Sequence, residues 1–349
     1  MPSEARGVRP PPQRLTAVWL FILGVLGIET ALRVLPEGFM TRTVQHRAEE
    51  IRYLPPADIQ LMGDSATSAI RAALLEHFIG PDYQVSNYAL PGTSPLFNYF
   101  VLRRQLEANK APRLIVLAPH PFVWGDPLLD RFLGRFATPR ESLEMLGDGV
   151  KLSEWLYGTL CRFSYTLRYR EEFYKALTAG DVTFFRRLAS PITSVQNTRA
   201  KITEAESSPS PPLGSVLAAH QLPPLLTRPI KVHPYNELYL DKFCTLAAAH
   251  GIQILWLSLP LPELIVRQGD GDQRTAAYAD LIARVKARHK NVAVLSEAVP
   301  TLPDSHYLDA WHMNAYGAWV FTHQAGEQLA NWLAAHPLPA AGSSRQAAR

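Results

Sequence analysis

The sequence predicts an α/β protein with a doubly wound, mainly parallel sheet of about five strands. Three observations lead there. Short apolar runs at Ile59–Met62, Tyr83–Asn87 and Arg113–Ala118 alternate with helical stretches within about sixty residues, which is the rhythm of strand–helix–strand units. The third run, Arg113-Leu114-Ile115-Val116-Leu117-Ala118, is apolar throughout its middle, as a strand buried on both faces must be. The same rhythm returns near the C-terminus, with a helix at 235–250, a strand at 252–258, a helix at 273–289, a strand at 292–295 and a last helix at 314–336. With 349 residues, 47% hydrophobic and 19% charged, the chain has enough apolar side chains for one large core.

Before the first strand, Leu15–Ile28 is uncharged and strongly apolar, and Arg6, Arg9 and Arg14 precede it. Basic residues ahead of an apolar segment of about 20 residues are the pattern of a helix inserted with its N-terminus in the cytoplasm. Glu29 and Arg33 interrupt the apolar character but stand four apart, so they can pair on one helix face. Residues 1–36 are therefore read as a cytoplasmic N-terminus and an uncleaved membrane anchor. A cleaved signal peptide and a buried amphipathic helix are the competing readings, and no small-x-small cleavage site follows the run.

The segment Ile59–Met62 ends in Gly63-Asp64-Ser65, with a helix expected over Ala66–Phe78 and closed by Gly80-Pro81. The second strand leads into the loop Ala89–Ser94, and a helix is expected over Pro95–Ala108. From Pro119 to Val232 the alternation stops. Aromatic and arginine-rich helical pieces between Trp155 and Tyr174 are followed by a Ser/Pro stretch at Ser207–Pro212, which together read as a helical insertion over the sheet. A lid shaping a cleft and a scaffold covering one side of the sheet are equally compatible with it. The expected organisation is 37–118 and 233–337 as two parts of one sheet domain, 119–232 as the insertion or cap, and 338–349 as a disordered tail.

The net charge of +4 draws on arginines at both termini, and no basic stripe suited to nucleic acid is present, so nucleic acid is not an expected partner. Cys161 and Cys244 lack the spacing of a metal or redox pair and read as two buried thiols, with a bridge left open. His233, Asp241 and His250 are scattered over a helix and its approach without compact ligand spacing, so no metal and no cofactor are expected.

Ser65 sits at the end of a strand, ahead of an expected helix, where free backbone N–H groups favour developing negative charge. Taken alone it is an ordinary N-cap. Asp309-Ala310-Trp311-His312, in a loop before the last helix, adds what a serine nucleophile needs: a base to take its proton and a carboxylate to hold the base's tautomer.

In combination and order these elements resemble the SGNH (GDS-type) hydrolase superfamily: Gly63-Asp64-Ser65 after the first strand, Asn87-Tyr88-Ala89-Leu90-Pro91-Gly92 after the second, and Asp309-Ala310-Trp311-His312 before the last helix. The resemblance covers the chain from about Ile59 to Trp332, interrupted by the insertion. It implies a flavodoxin-like fold with Ser65 as nucleophile, His312 as base, Asp309 as its orienter, and the N–H groups of Ser65 and Gly92 in the oxyanion hole. The family's third block departs here: its asparagine donor is missing, and Ala118-Pro119-His120-Pro121-Phe122 stands in its place, with His120 a candidate replacement donor. The anchor and the divergent third block resemble the cell-envelope branch, with the alginate O-acetylation proteins and DltD-type proteins of teichoic acid modification. That branch implies a bacterial inner-membrane protein whose catalytic domain faces the periplasm. It also implies an acyl donor, a saccharide acceptor and a membrane-bound acyltransferase as candidate partner. The expected activity is O-acyl transfer to a cell-surface polysaccharide. An esterase with the same triad and a non-catalytic envelope assembly protein are the alternatives.

Overall fold

A computed structural model describes residues 13–34, 56–168, 230–267, 271–296 and 299–338, with isolated positions at 51, 54, 170, 174 and 178. Residues 1–12 and the Ser/Pro stretch of the insertion lie outside the described residues.

Five parallel strands form the sheet: β1 (Ile59–Met62), β2 (Val85–Asn87), β3 (Leu114–Leu117), β4 (Gln253–Trp256) and a last strand at Val292–Val294. Its order is β2-β1-β3-β4 followed by Val292–Val294. The α/β class, the parallel sheet and its five strands are as the sequence predicts. The three strands at its centre, β1, β3 and β4, are almost wholly buried, which explains their uninterrupted apolar runs. Strand order reverses at β1, so the crevice for ligands opens at the carboxyl ends of β1 and β3. The register pairs Met62 with Leu117, so both strands leave the sheet at one level.

Helices cover both faces. One face carries α3 (Pro95–Glu107) packed against a helix at Pro234–Ala249, and the other carries α2 (Ala72–Ile79) packed against the last helix, Ala315–Ala335. On the first face Phe97, Phe100, Phe132 and Tyr239 interlock with ring centroids 4.5–5.3 Å apart. Deeper in, Trp124 stacks on Trp256 of β4 at 5.5 Å.

Helices make up much of the described stretch that follows β3. It comprises a π-helical turn at Phe132–Phe136, α4 (Pro139–Gly147), α5 (Leu152–Phe163) and α6 (Tyr165–Arg168). A capping box opens α4, with the Thr138 hydroxyl accepting from the Glu141 N–H and the Glu141 carboxylate accepting from the Thr138 N–H. The same carboxylate accepts from the Arg104 Nε at 2.8 Å, and Glu144 pairs with Arg103, which fixes the insertion onto α3. Later elements follow in order: α7 is the Pro234–Ala249 helix, β5 is Leu261–Pro262, α8 is Gly271–Arg288, β6 is the Val292–Val294 strand, β7 is Thr301–Leu302, and α9 is the Ala315–Ala335 helix. The two-residue parallel pair β5–β7 stands apart from the main sheet and carries the chain to its C-terminal loop.

The helix expected over Ala66–Phe78 is broken: a 3-10 turn spans Thr67–Ala69, Ile70 is extended, and α2 starts at Ala72. Side chains compete for the groups a helix would use, since the Thr67 hydroxyl bonds the Ala118 carbonyl and Asn87 Nδ2 donates to the carbonyls of Thr67 and Ile70. Leu338, expected to begin a disordered tail, is buried, and its carbonyl accepts from Arg113 at 2.7 Å; the rest of that tail lies outside the described residues. The apolar N-terminal segment is a helix, α1 (Gln13–Val34), with side chains described for part of its length. Among the described residues no helix is long and apolar enough to cross a membrane. Cys161 and Cys244 are both free and buried.

Candidate active site

Ser65 lies in the turn that leaves β1, and the turn is held from three sides. Leu90 N–H donates to the Gly63 carbonyl at 3.0 Å, which ties the loop after β2 to it. A Cβ on Gly63 would lie 2.1 Å from the Thr67 hydroxyl and 2.8 Å from the Ala118 carbonyl, so only glycine allows this close approach of the β1 and β3 exits. Asp64 is buried and bridges the same two exits: one carboxylate oxygen accepts from Ala66 N–H and the other from His120 N–H, both at 2.8 Å. Burial pushes the Asp64 carboxyl up to about 6, against the opposing effect of the His120, Ala66 and Thr67 N–H groups and of the His312 charge.

The C-terminal loop reaches this turn from the far side of the sequence. An antiparallel bridge pairs Tyr307 with Met313, and Leu308 N–H donates to the His312 carbonyl at 2.8 Å, so residues 308–312 form a closed loop. Within it the Asp309 carboxylate accepts from the N–H groups of Trp311 and His312 at 2.7 and 2.8 Å. His312 Nδ1 lies 2.9–3.0 Å from both Asp309 oxygens, and its Nε2 lies 2.9 Å from the Ser65 hydroxyl. Burial raises the Asp309 pKa, but the hydrogen bonds from His312 and the two N–H groups outweigh it and hold the carboxyl below its ordinary value. An ionised Asp309 keeps the proton on Nδ1 and leaves Nε2 to accept from Ser65. Three residues up to 247 positions apart thus form one continuous relay.

His120, at the exit of β3, is buried beside this relay. Its Nδ1 accepts from Phe122 N–H at 3.4 Å, which assigns the ring proton to Nε2, and Nε2 is buried without a hydrogen-bond partner. Burial first, then the positive charge of His312, holds its pKa down at about 3, with Asp309 pulling weakly the other way. The ring packs against Trp311 and Phe122 at 5.1 and 5.7 Å. A neutral, buried imidazole with an unused N–H is what an oxyanion donor requires.

No protein-family model and no curated protein matches this chain. The reading of the site therefore rests on its geometry.

Gly92 lies in the turn after β2 with φ of 70°, a left-handed conformation that glycine adopts without strain, and its carbonyl accepts from Arg131 at 3.4 Å. The Ser94 hydroxyl donates to the Pro127 carbonyl at 2.7 Å, so the start of the insertion is joined to this loop as well. Ser65, His312 and Asp309 come together, His120 lies beside them, and Gly92 lies on the loop that Leu90 fastens to the Ser65 turn. Sequence reasoning missed the Asp64 bridge, the Trp311 contact to His120, and Arg131. The first was readable only as a buried-looking acid in the turn, and the other two carry no local signal. The residues set aside as metal ligands serve structure: His233 caps α7 by accepting from Tyr235 N–H, and Asp241 pairs with Arg288 and His289.

Proposed function

We propose that the protein is an SGNH-type serine O-acyltransferase, and the observation that carries this reading is the Ser65–His312–Asp309 relay with its 2.9–3.0 Å spacings. His312 Nε2 takes the Ser65 proton as Oγ attacks the carbonyl carbon of an acyl donor. The oxyanion is held by the N–H groups of Ser65 and Gly92 and by His120 Nε2–H. On collapse the leaving oxygen takes the proton from His312, and an acyl-Ser65 ester remains. A hydroxyl acceptor then gives its proton to His312 and attacks the ester; on collapse the acyl–Oγ bond breaks and His312 returns that proton to the Ser65 oxygen, which frees the acylated acceptor and restores the starting relay.

The exposure of the triad favours a large acceptor. Asp309 and His312 side chains are 53% and 40% exposed, so the relay lies at the surface and not at the bottom of a narrow pocket. A cell-surface polysaccharide fits such a site. The described residues alone hold no helix long and apolar enough to cross a membrane, and the reading of α1 as a single-pass anchor with the body in the periplasm is supported by the sequence, through the uncharged run Leu15–Ile28 with Arg14 before it, and by the outward faces of Trp19, Leu20 and Leu23.

A fluorophosphonate probe on the full chain tests the nucleophile. Labelling should occur at Ser65 and vanish in Ser65→Ala; labelling that persists in that variant sinks the assignment. Acceptor choice is read with a nitrophenyl acetate donor and an added oligosaccharide. Acetylated oligosaccharide is the expected product, and hydrolysis alone at every acceptor concentration would assign an esterase instead.

A further inference from the structure

The helix α5 is built inside out. The side facing the protein carries small residues: Gly158 meets Leu133 and the Leu129 carbonyl so closely that a Cβ would lie 2.7 Å from the Leu133 side chain, and Cys161 is buried. The outward side carries Leu152, Leu156, Leu160 and Phe163, spaced four, four and three apart on one stripe, and all four are 48–64% exposed. Leu143 of α4 is 62% exposed beside them. Single exposed leucines are ordinary, but a contiguous stripe of this length on a water-facing helix is not.

The setting of the stripe identifies its occupant. At the end of α5 the carboxylate of Glu29 in α1 accepts from the Ser164 hydroxyl and from the N–H groups of Tyr165 and Thr166, at 2.9 and 3.0 Å for the last two, and so caps the start of α6. Position 29 is fifteen residues beyond position 14, about 22 Å along a helix rising ~1.5 Å per residue. In an anchor that enters the bilayer near position 14, that height lies toward the outer edge of a ~30 Å hydrocarbon layer. The corner between α5 and α6 is thereby tied to the outer third of that layer, within ~8 Å of its edge. Arg140 is exposed beside Leu143, and Lys151, at the start of α5, has 74% of its side chain exposed and pairs with Glu154 at 3.8 Å.

We propose that the outward face of α5, with Leu143, rests in the interfacial layer of a phospholipid bilayer and seats the catalytic body on the membrane. The inference builds on the anchor reading of α1, and the test separates the two. Full-length chain carrying an environment-sensitive nitrobenzoxadiazole label at Leu160→Cys, Leu23→Cys or Lys290→Cys is reconstituted into phosphatidylethanolamine–phosphatidylglycerol vesicles. Both native cysteines are buried, so the introduced thiol is the one labelled. Lipids with a nitroxide near the headgroup should remove most of the emission at position 160 and leave position 290, which is exposed, unchanged. Emission at 160 that matches 290 overturns the inference. A blue-shifted but unquenched label at 160 overturns it too, because a second copy or another part of this chain then covers the stripe. Position 23, read with nitroxides deep in the acyl chains, reports on the anchor. Quenching there without quenching at 160 leaves the anchor standing and removes the docking face, whereas no quenching at 23 removes the anchor.

Discussion

Replacing His120 by phenylalanine tests the oxyanion assignment and the electrostatics of the site at once. Phenylalanine keeps a flat ring against Trp311 and Phe122 but has no Nε2–H to donate. Loss of one such donor costs ~10² to 10³ in kcat. His120→Asn supplies a side-chain N–H again and should recover most of that loss. Stability moves as well. His120 is held neutral to about 3 against an ordinary 6.5, so between those values the folded chain binds one proton fewer than the unfolded chain. Its contribution is present above pH 6.5 and is lost as pH falls, by ~1.4 kcal/mol per pH unit, or about 2 kcal/mol by pH 5. Asp64 works in the opposite sense: its carboxyl is raised from 3.8 to about 6, so its contribution is present below 3.8 and is lost as pH rises through 6. Wild type and His120→Phe share the Asp64 effect, so the difference between their denaturation midpoints isolates His120. That difference should shift in favour of the variant by about 2 kcal/mol from pH 6.5 to pH 5. Ester turnover and urea unfolding between pH 5 and 8 are the assays. Unchanged kcat refutes the donor role, and a stability difference that stays flat over that window refutes the buried neutral imidazole.

Further outcomes follow from the same geometry. Asp309→Asn should lower kcat by ~10⁴ with little change in melting temperature, because Nδ1 loses the carboxylate that holds its proton; a loss under tenfold in steady-state ester turnover would show that the tautomer is set elsewhere. Gly63→Ala should cost ~1–3 kcal/mol of stability through the overlap with Thr67 and the Ala118 carbonyl, and an unaltered chemical-denaturation midpoint would mean the β1 and β3 exits can separate freely. Burial pushes the Cys244 thiol up to about 12 and raises that of Cys161, so neither should react with a disulfide reagent in the native state; fast labelling of either at pH 8 contradicts its burial.

The sheet was legible in the sequence because a parallel strand buried on both faces must be apolar along its whole length, and Leu114–Leu117 meets that condition residue by residue. The strands β5 and β7 were not, since two residues, one of them Pro262, leave no periodicity to read. The break in the helix expected after Ser65 has a definite cause. The composition of Ala66–Phe78 favours a helix, but Asn87 and Ala118, distant in sequence, divert the backbone and hydroxyl groups of its first turn. In the site, Asp309 and His312 could be paired from sequence because they share one short loop. The Asp64–His120 bond could not, because it depends on β1 and β3 being neighbours in the sheet. His120 was visible as an odd residue in the third block, and its tautomer and burial emerged only with the packing of Phe122 and Trp311.

The loop closed by the Tyr307–Met313 bridge has a mechanical consequence. Asp309 and His312 are fastened to each other by side-chain and backbone bonds inside that loop, and Asn314 N–H donates to the His306 carbonyl at 2.9 Å just outside it. Base and orienter therefore travel as one piece, and the relay has a single soft joint, the 2.9 Å contact between His312 Nε2 and the Ser65 hydroxyl. Any displacement of the C-terminal segment, by heat, by substrate or by a neighbouring molecule, opens the relay at that joint first. The proposed acyl transfer would then be throttled by one distance while the Asp309–His312 pair stays intact.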